Sequence, residues 1–176
     1  NFNIAAYNTD SYGGSVSFKL PVSEIEQLSL SLEVDNTQLK TNIYSSRQLQ
    51  DFYNSEGFDF DTLTAAISWA EVTLDRGMFP TSGMSNTISL SLTLPGSNLN
   101  YGRFIHDLKL FKPLPRGLIF GYRSRIGALF TYEDTETAPP YQHFYAGGMR
   151  SVRGFKQNYL GPKASYNTGY GPSYPR

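Results

Sequence analysis

The sequence predicts an all-β fold: an antiparallel up-and-down meander forming a partial or small closed β-barrel of about seven strands, followed by a long irregular C-terminal loop. Apolar and polar side chains take turns at period two, as in Ile88-Ser89-Leu90-Ser91-Leu92-Thr93-Leu94, where every second residue is aliphatic and the rest are small hydroxyls. The 13 Tyr, 12 Phe and 16 Gly, with 17% charged residues, suit half-buried strands better than a helical bundle. The connections alternate between tight and long, which puts short turns at one end of an up-and-down meander and longer loops at the other.

The elements follow in order. Residues 3–7 form a short, less regular strand. Val16-Ser17-Phe18-Lys19-Leu20 and Leu28-Ser29-Leu30-Ser31-Leu32-Glu33-Val34 are strict alternations joined by a tight link over 21–26. Residues 40–62 read as a long polar loop carrying Asp51, Glu56, Asp59 and Asp61; without an EF-hand pattern these acids are solvated rather than a calcium or carboxylate-pair site. A strand over 64–74 leads through a Gly/Pro link at 79–85 into Ile88-Ser89-Leu90. A shorter loop over 95–100 precedes a strand over 101–111, with Arg103, Asp107 and Lys109 on one parity and His106 on the apolar one. After a link at 112–117, the strand over 118–132 sets Leu118, Phe120, Tyr122, Ile126, Ala128 and Phe130 against Gly121, Arg123, Arg125 and Gly127. Residues 1–132 are therefore the strand region, and 133–176 a loop ending in a tail with tyrosines at 159, 166, 170 and 174 among Gly and Pro.

Several function classes drop out on chemistry. A net charge of zero and a pI near 6.9 supply no basic stripe for phosphates, so nucleic acid is not an expected partner. With no Cys, there is neither a disulfide framework nor thiolate chemistry. His106 and His143 fit no metal spacing, and neither a Gly-x-Ser-x-Gly elbow nor a phosphate-cradling Gly-Lys-Ser/Thr occurs. No enzyme activity, metal or cofactor is expected. No apolar run of about 18 residues exists for a membrane helix. The mean hydropathy of -0.37 decides nothing, because alternating strands average to a bland value. Asn1-Phe2-Asn3 carries neither an initiator Met nor an apolar leader, as expected of a mature product or a fragment.

Which face meets which medium is an energetic question. An arginine facing lipid near the bilayer midplane costs roughly 2–4 kcal/mol, so in a membrane barrel Arg123 and Arg125 line the lumen and Leu118, Phe120, Ile126 and Phe130 meet lipid. In a soluble barrel the assignment inverts, with the aliphatic parity inside and the arginines solvated. Periodicity alone leaves both open.

The stretch Phe144-Tyr145-Ala146-Gly147-Gly148-Met149-Arg150-Ser151-Val152-Arg153-Gly154-Phe155 strings glycines, arginines and aromatics along a loop suited to folding inward. It resembles the loop-six signature of the BamA family of outer-membrane β-barrel assembly factors, with Val152, Arg153, Gly154 and Phe155 matching the motif core. Leu74-Asp75-Arg76-Gly77-Met78-Phe79-Pro80-Thr81-Ser82-Gly83 resembles a second signature, in which Asp75, Arg76, Gly77, Phe79 and Pro80 form a strand-to-turn motif. Leu94-Pro95-Gly96-Ser97 and Tyr159-Leu160-Gly161-Pro162-Lys163-Ala164 are also similar to family segments, so the resemblance runs the length of the chain. For an isolated tetrapeptide, a solvated Gly-rich loop would be the simpler reading of Val152 to Phe155, and a weak surface pair the simpler reading of Asp75 and Arg76.

The resemblance implies the end of barrel strand five, strands six to eleven and much of loop six of a sixteen-stranded barrel in the bacterial outer membrane. It further implies outer-membrane lipid, nascent β-barrel proteins and assembly lipoproteins as partners of the parent protein, which folds and inserts its clients without a cofactor; the fragment alone would be inactive. The family's loop arginine pairs with acids on later strands, which this chain lacks, leaving Arg153 unpaired, rerouted or exposed. Bare sheet edges are untenable in lipid, so closure of the sheet or an edge-to-edge homodimer is expected. The alternative is a stand-alone small β-barrel that binds an apolar ligand or a protein partner.

Overall fold

A computed structural model describes residues 7–41, 46–149 and 151–161. Six strands form one antiparallel sheet in chain order: β1 (Tyr7–Pro21), β2 (Glu26–Thr41), β3 (Asp59–Val72), β4 (Gly83–Thr93), β5 (Tyr101–Pro113) and β6 (Ile119–Thr131). The meander is as expected, and each strand is longer than its alternating core. β1 is the clearest case. Tyr7 and Val16 to Leu20 belong to one strand rather than two, because the polar stretch through Gly13 and Gly14 pairs residue for residue with the Asp35 and Val34 side of β2. A side chain at Gly13 would strike the Val34 carbonyl oxygen at 2.4 Å, so glycine is what lets the ladder continue. The rest of the expected strand at residues 3–7 lies outside the described residues.

Register fixes the two faces. Val16, Leu32, Ala65, Leu92, Gly102 and Phe130 stand in one cross-strand row, and Phe18, Leu30, Ile67, Leu90, Phe104 and Ala128 in the next. The opposite face carries Ser17, Ser31, Ala66, Ser91, Arg103 and Leu129. Aliphatic side chains stay uncovered, with Phe18 69% and Val34 61% exposed, while loops and a helix settle on the polar face.

The apolar face is a band with polar borders. Glu26, Glu71, Asn86 and Ser124 lie in or beside one row at the tight-turn end. Asn36 and Asp61 pair at the other end, where the Asn36 amide donates to Asp59 and Asp61 at 2.7 and 2.9 Å. Between Glu26 and Asn36 the strand climbs about 33 Å at roughly 3.3 Å per residue, which stands about 25 Å tall at the usual tilt of a membrane barrel strand. His106, unexpected on the apolar parity, lies one row inside the lower border, and its Nε2 meets Asn86 Oδ1 at 2.8 Å. A hydrogen-bonded partner at the margin of the band makes the imidazole tolerable there.

The expected loop at 40–62 is shorter and holds a helix, α1 (Arg47–Glu56). Ser46 caps it by accepting from the Leu49 N–H at 3.3 Å, and Gly57 closes it at φ 98°. Leu49 and Phe52, one turn apart, bury themselves against Leu39, Phe60, Leu99 and Tyr101, with Leu129 alongside. Of these, Leu39, Phe60, Tyr101 and Leu129 belong to the polar face, which turns apolar at this end because the helix covers it. Asp51 and Glu56 thus lie on α1, Asp59 and Asp61 on β3.

The link between β3 and β4 spans 73–82, longer than the sequence suggests, since β3 ends at Val72. Among the described residues the sheet is open: β1 and β6 each pair on one side only. Of the partial and the small closed barrel that the sequence allows, the described residues form the partial one, since β6 pairs with β5 and not with β1.

Candidate functional site

Among the described residues, three groupings are candidates for a site: charges on the polar face, the loop that folds over them, and a turn at the far end of the sheet.

Period two puts Arg103, Asp107 and Lys109 of β5 and Arg123 and Arg125 of β6 on one face, and the ladder sets Asp107 directly opposite Arg125. Arg123 and Arg125 approach the same Asp107 oxygen at 3.4 and 3.6 Å. One carboxylate thus answers two guanidinium groups that are 55% and 62% exposed, a weak attraction in solvent that leaves the β5–β6 wall net positive. Across the sheet, Glu33 and Asp35 of β2 make the same face acidic, and Asp35 accepts from Thr62 and Thr37 at 2.7 and 3.0 Å. The serines at 29, 31, 68, 89 and 91 floor a shallow depression between them, with Arg103 at its side.

After β6 the chain turns back over this face. The Thr135 hydroxyl accepts from the Asn100 N–H at 2.7 Å, and the Glu56 carboxylate at the end of α1 accepts from the Glu136 N–H at 3.1 Å. Farther along, the Phe144 ring lies against Gly127 and beneath the Arg103 guanidinium, 4.9 Å from ring centroid to Cζ. The following segment closes on itself. Ala146 and Leu160 form a β-bridge, the Ser151 hydroxyl donates to the Gly147 carbonyl and accepts from its N–H, and the Gly148 N–H donates to the Phe155 carbonyl. Gly147 sits at φ 112°, where a side chain would meet the Lys156 carbonyl at 2.4 Å. This is a compact loop with its own hydrogen bonds. Val152, Arg153, Gly154 and Phe155 occupy its tip; Arg153 is exposed and forms no ion pair among the described residues.

The strand-to-turn motif lies at the opposite end of the sheet and meets neither the loop nor the arginines. Asp75 organises it. Its Oδ1 accepts from the Thr81 and Ser82 N–H groups at 2.9 and 3.2 Å, and its Oδ2 accepts from the Thr81 hydroxyl at 2.6 Å and from Arg76 Nε at 3.1 Å. Hydrogen bonds to the ionised form, the Thr81 hydroxyl's foremost, hold this carboxyl well below the usual range. The pinned turn presents Met78 and Phe79, 77% and 85% exposed, with Phe79 at φ 53°. Gly77 and Pro80 lie in the same bend, on either side of Met78 and Phe79.

The parity read from the sequence put Arg123 and Arg125 on one strand face, as the ladder does, but it did not bring Arg103, Gly127 and Phe144 together as a group. Their shared parity with Asp107 and Arg125 was the available signal for the first two. For Phe144 only its position ahead of the double glycine hinted at a role. The tail tyrosines at 166, 170 and 174, and the Pro162 to Ala164 part of its last motif, lie outside the described residues.

A family model for the Omp85 superfamily domain matches residues 1–174. The outer membrane protein assembly factor BamA of Neisseria meningitidis serogroup B is 26% identical over 180 residues, an alignment covering 98% of this chain and 23% of that protein. The crystal structure of BamA from Haemophilus ducreyi lacking POTRA domains 1-3 superposes with a TM-score of 0.83 at 29% identity, covering 90% of this chain and 32% of the other. The chain thus spans about a quarter to a third of the length of these relatives.

Proposed function

Because this chain belongs to the Omp85 superfamily, whose place is the bacterial outer membrane, we propose that it supplies a stretch of barrel wall and the inward loop of a factor that folds and inserts β-barrel proteins there. One observation supports this reading above the others: the aliphatic parity is left bare over a membrane-tall band, while the arginines and the loop share the opposite face. In a lipid setting that opposite face is the lumen, and Arg123 and Arg125 line it. A soluble barrel with its aliphatic side chains inside needs the reverse arrangement.

The work is non-covalent. Strand edges elsewhere in the whole barrel lend backbone donors and acceptors to an incoming chain, as in other strand-addition reactions, while this stretch of wall keeps lipid from the wet interior. The outer edges of β1 and β6 pair with neighbouring strands of a larger barrel, because unpaired backbone groups in hydrocarbon cost several kcal/mol each. The tip residues Val152, Arg153, Gly154 and Phe155 meet acidic groups of that larger barrel, and the turn around Asp75 is a structural stop at the periplasmic end. Nascent barrel proteins, assembly lipoproteins and outer-membrane lipid are the partners.

An allele carrying Arg153→Glu, expressed while the native copy is depleted, tests the reading. The expected result is that the variant protein still reaches the outer membrane while porin levels there fall. Native porin levels in that strain would overturn a role for the loop in assembly.

A further inference from the structure

The loop-bearing face holds one contact that neither the wall nor the tip explains. A Cβ built on Gly127 would lie 2.5 Å from the Phe144 Cζ, and its three nearest neighbours are all carbons of that ring. The ring therefore occupies the place where any other residue would put its side chain. Arg103 covers it from above, with Cζ 4.9 Å from the ring centroid. The Arg103 Nε is buried and has no hydrogen-bond partner, while Asp107, the acid on the same face of the same strand, is taken by Arg123 and Arg125. The ring face meets this guanidinium instead, the electrostatic use to which an aromatic quadrupole is suited.

We infer that Phe144, seated in the notch at Gly127 and held there by Arg103, is the anchor that positions the loop on the inner wall. The inference deepens the assembly reading and rests on it for its purpose, though not for its geometry. The loop that begins at Ala146 and returns at Leu160 is tied together by its own hydrogen bonds. Its tip is placed from the Phe144 end, two residues before the bridge at Ala146. Arg103 and Gly127 act through Phe144 and are positioning residues.

Trypsin reads the anchor directly on the native protein in detergent, with fragments resolved by mass so that cleavage after Arg153 and Lys156 is separated from cuts elsewhere. Phe144→Ala, Gly127→Val and Arg103→Ala are expected to speed cleavage in the loop roughly tenfold, the scale set by removing a cation–π interaction together with the packing of its ring. Arg103→Lys keeps the cation over the ring and is expected to stay near the native rate. The double variant Gly127→Val with Phe144→Ala should be no faster than either single one, because both abolish the same seating of the ring. If Phe144→Ala and Arg103→Ala are cleaved at the native rate with the sheet still folded, the anchor is overturned; should Gly127→Val fail to insert, those two variants decide. Additive acceleration in the double variant would likewise overturn it. Assembly activity is not part of this readout, so the assembly reading stands or falls on porin levels alone.

Discussion

Asp107 faces Arg125 directly across the β5–β6 ladder, and the same carboxylate oxygen that lies 3.6 Å from Arg125 lies 3.4 Å from Arg123. A single negative charge therefore separates two like charges on one strand face, with Lys109 opposite Arg123 adding a third. Asp107→Asn is expected to lower stability by about 0.5–1 kcal/mol at low salt, discounted for the solvent around both arginines. The deficit should shrink as salt screens the arginines from one another. Urea midpoints in micelles at low and high ionic strength check this; a deficit that grows with salt would count against the charge account.

Adjacent residues on β4 offer a sharper contrast. Leu90 stands mid-band on the aliphatic face between Ile67 and Phe104, whereas its neighbour Ser89 floors the polar depression. Leu90→Arg is expected to cost roughly 2–4 kcal/mol in lipid, and Ser89→Arg much less. Unfolding titrations of the native protein in vesicles measure both. Equal costs would mean that neither face meets hydrocarbon.

The turn at Asp75 predicts an acid-sensitive element. Its carboxyl ionises more readily in the folded turn than in the unfolded chain, whose value is near 3.8. A depressed folded value contributes stability that is fully present above the unfolded one and is lost as pH falls through the folded one. Hydrogen exchange at the Thr81 and Ser82 amides should stay slow from neutral pH to about 4 and lose protection only below it. Asp75→Asn is expected to exchange faster throughout and to lack this acid component. A variant with the native acid response would remove Asp75 from that role.

How far the sequence could be read depends on whether a residue's surroundings are local. Alternation in 28–34 and 88–94 fixed the faces of β2 and β4, because period two is a property of one strand and its medium. Helix α1 escaped notice since its apolar content is only Leu49, Phe52 and Tyr53, and what stabilises it is the patch of Leu39, Phe60 and Tyr101 gathered from three different strands. Ser46 ahead of Arg47 and Gly57 after Glu56 were the local signals, and they mark ends without proving a middle. The expected split of β1 failed for a related reason: alternation covers only residues 16–20, and what carries the strand on through Gly13 and Gly14 is their pairing with Asp35 and Val34 of β2. The arginines at 123 and 125 were legible as a face, but their shared acid on β5 and the ring of Phe144 required the ladder and the returning loop.

The rows of alternating side chains also govern how this wall comes together. If β2 slid by one residue, Ser29 and Ser31 would swing onto the aliphatic face and Leu28, Leu30 and Leu32 onto the arginine side. If it slid by two, the faces would survive while Asn36 was pulled away from its acids and Glu26 rose into the greasy layer. Either slip is penalised, so the alternating rows and their polar borders together specify a single register.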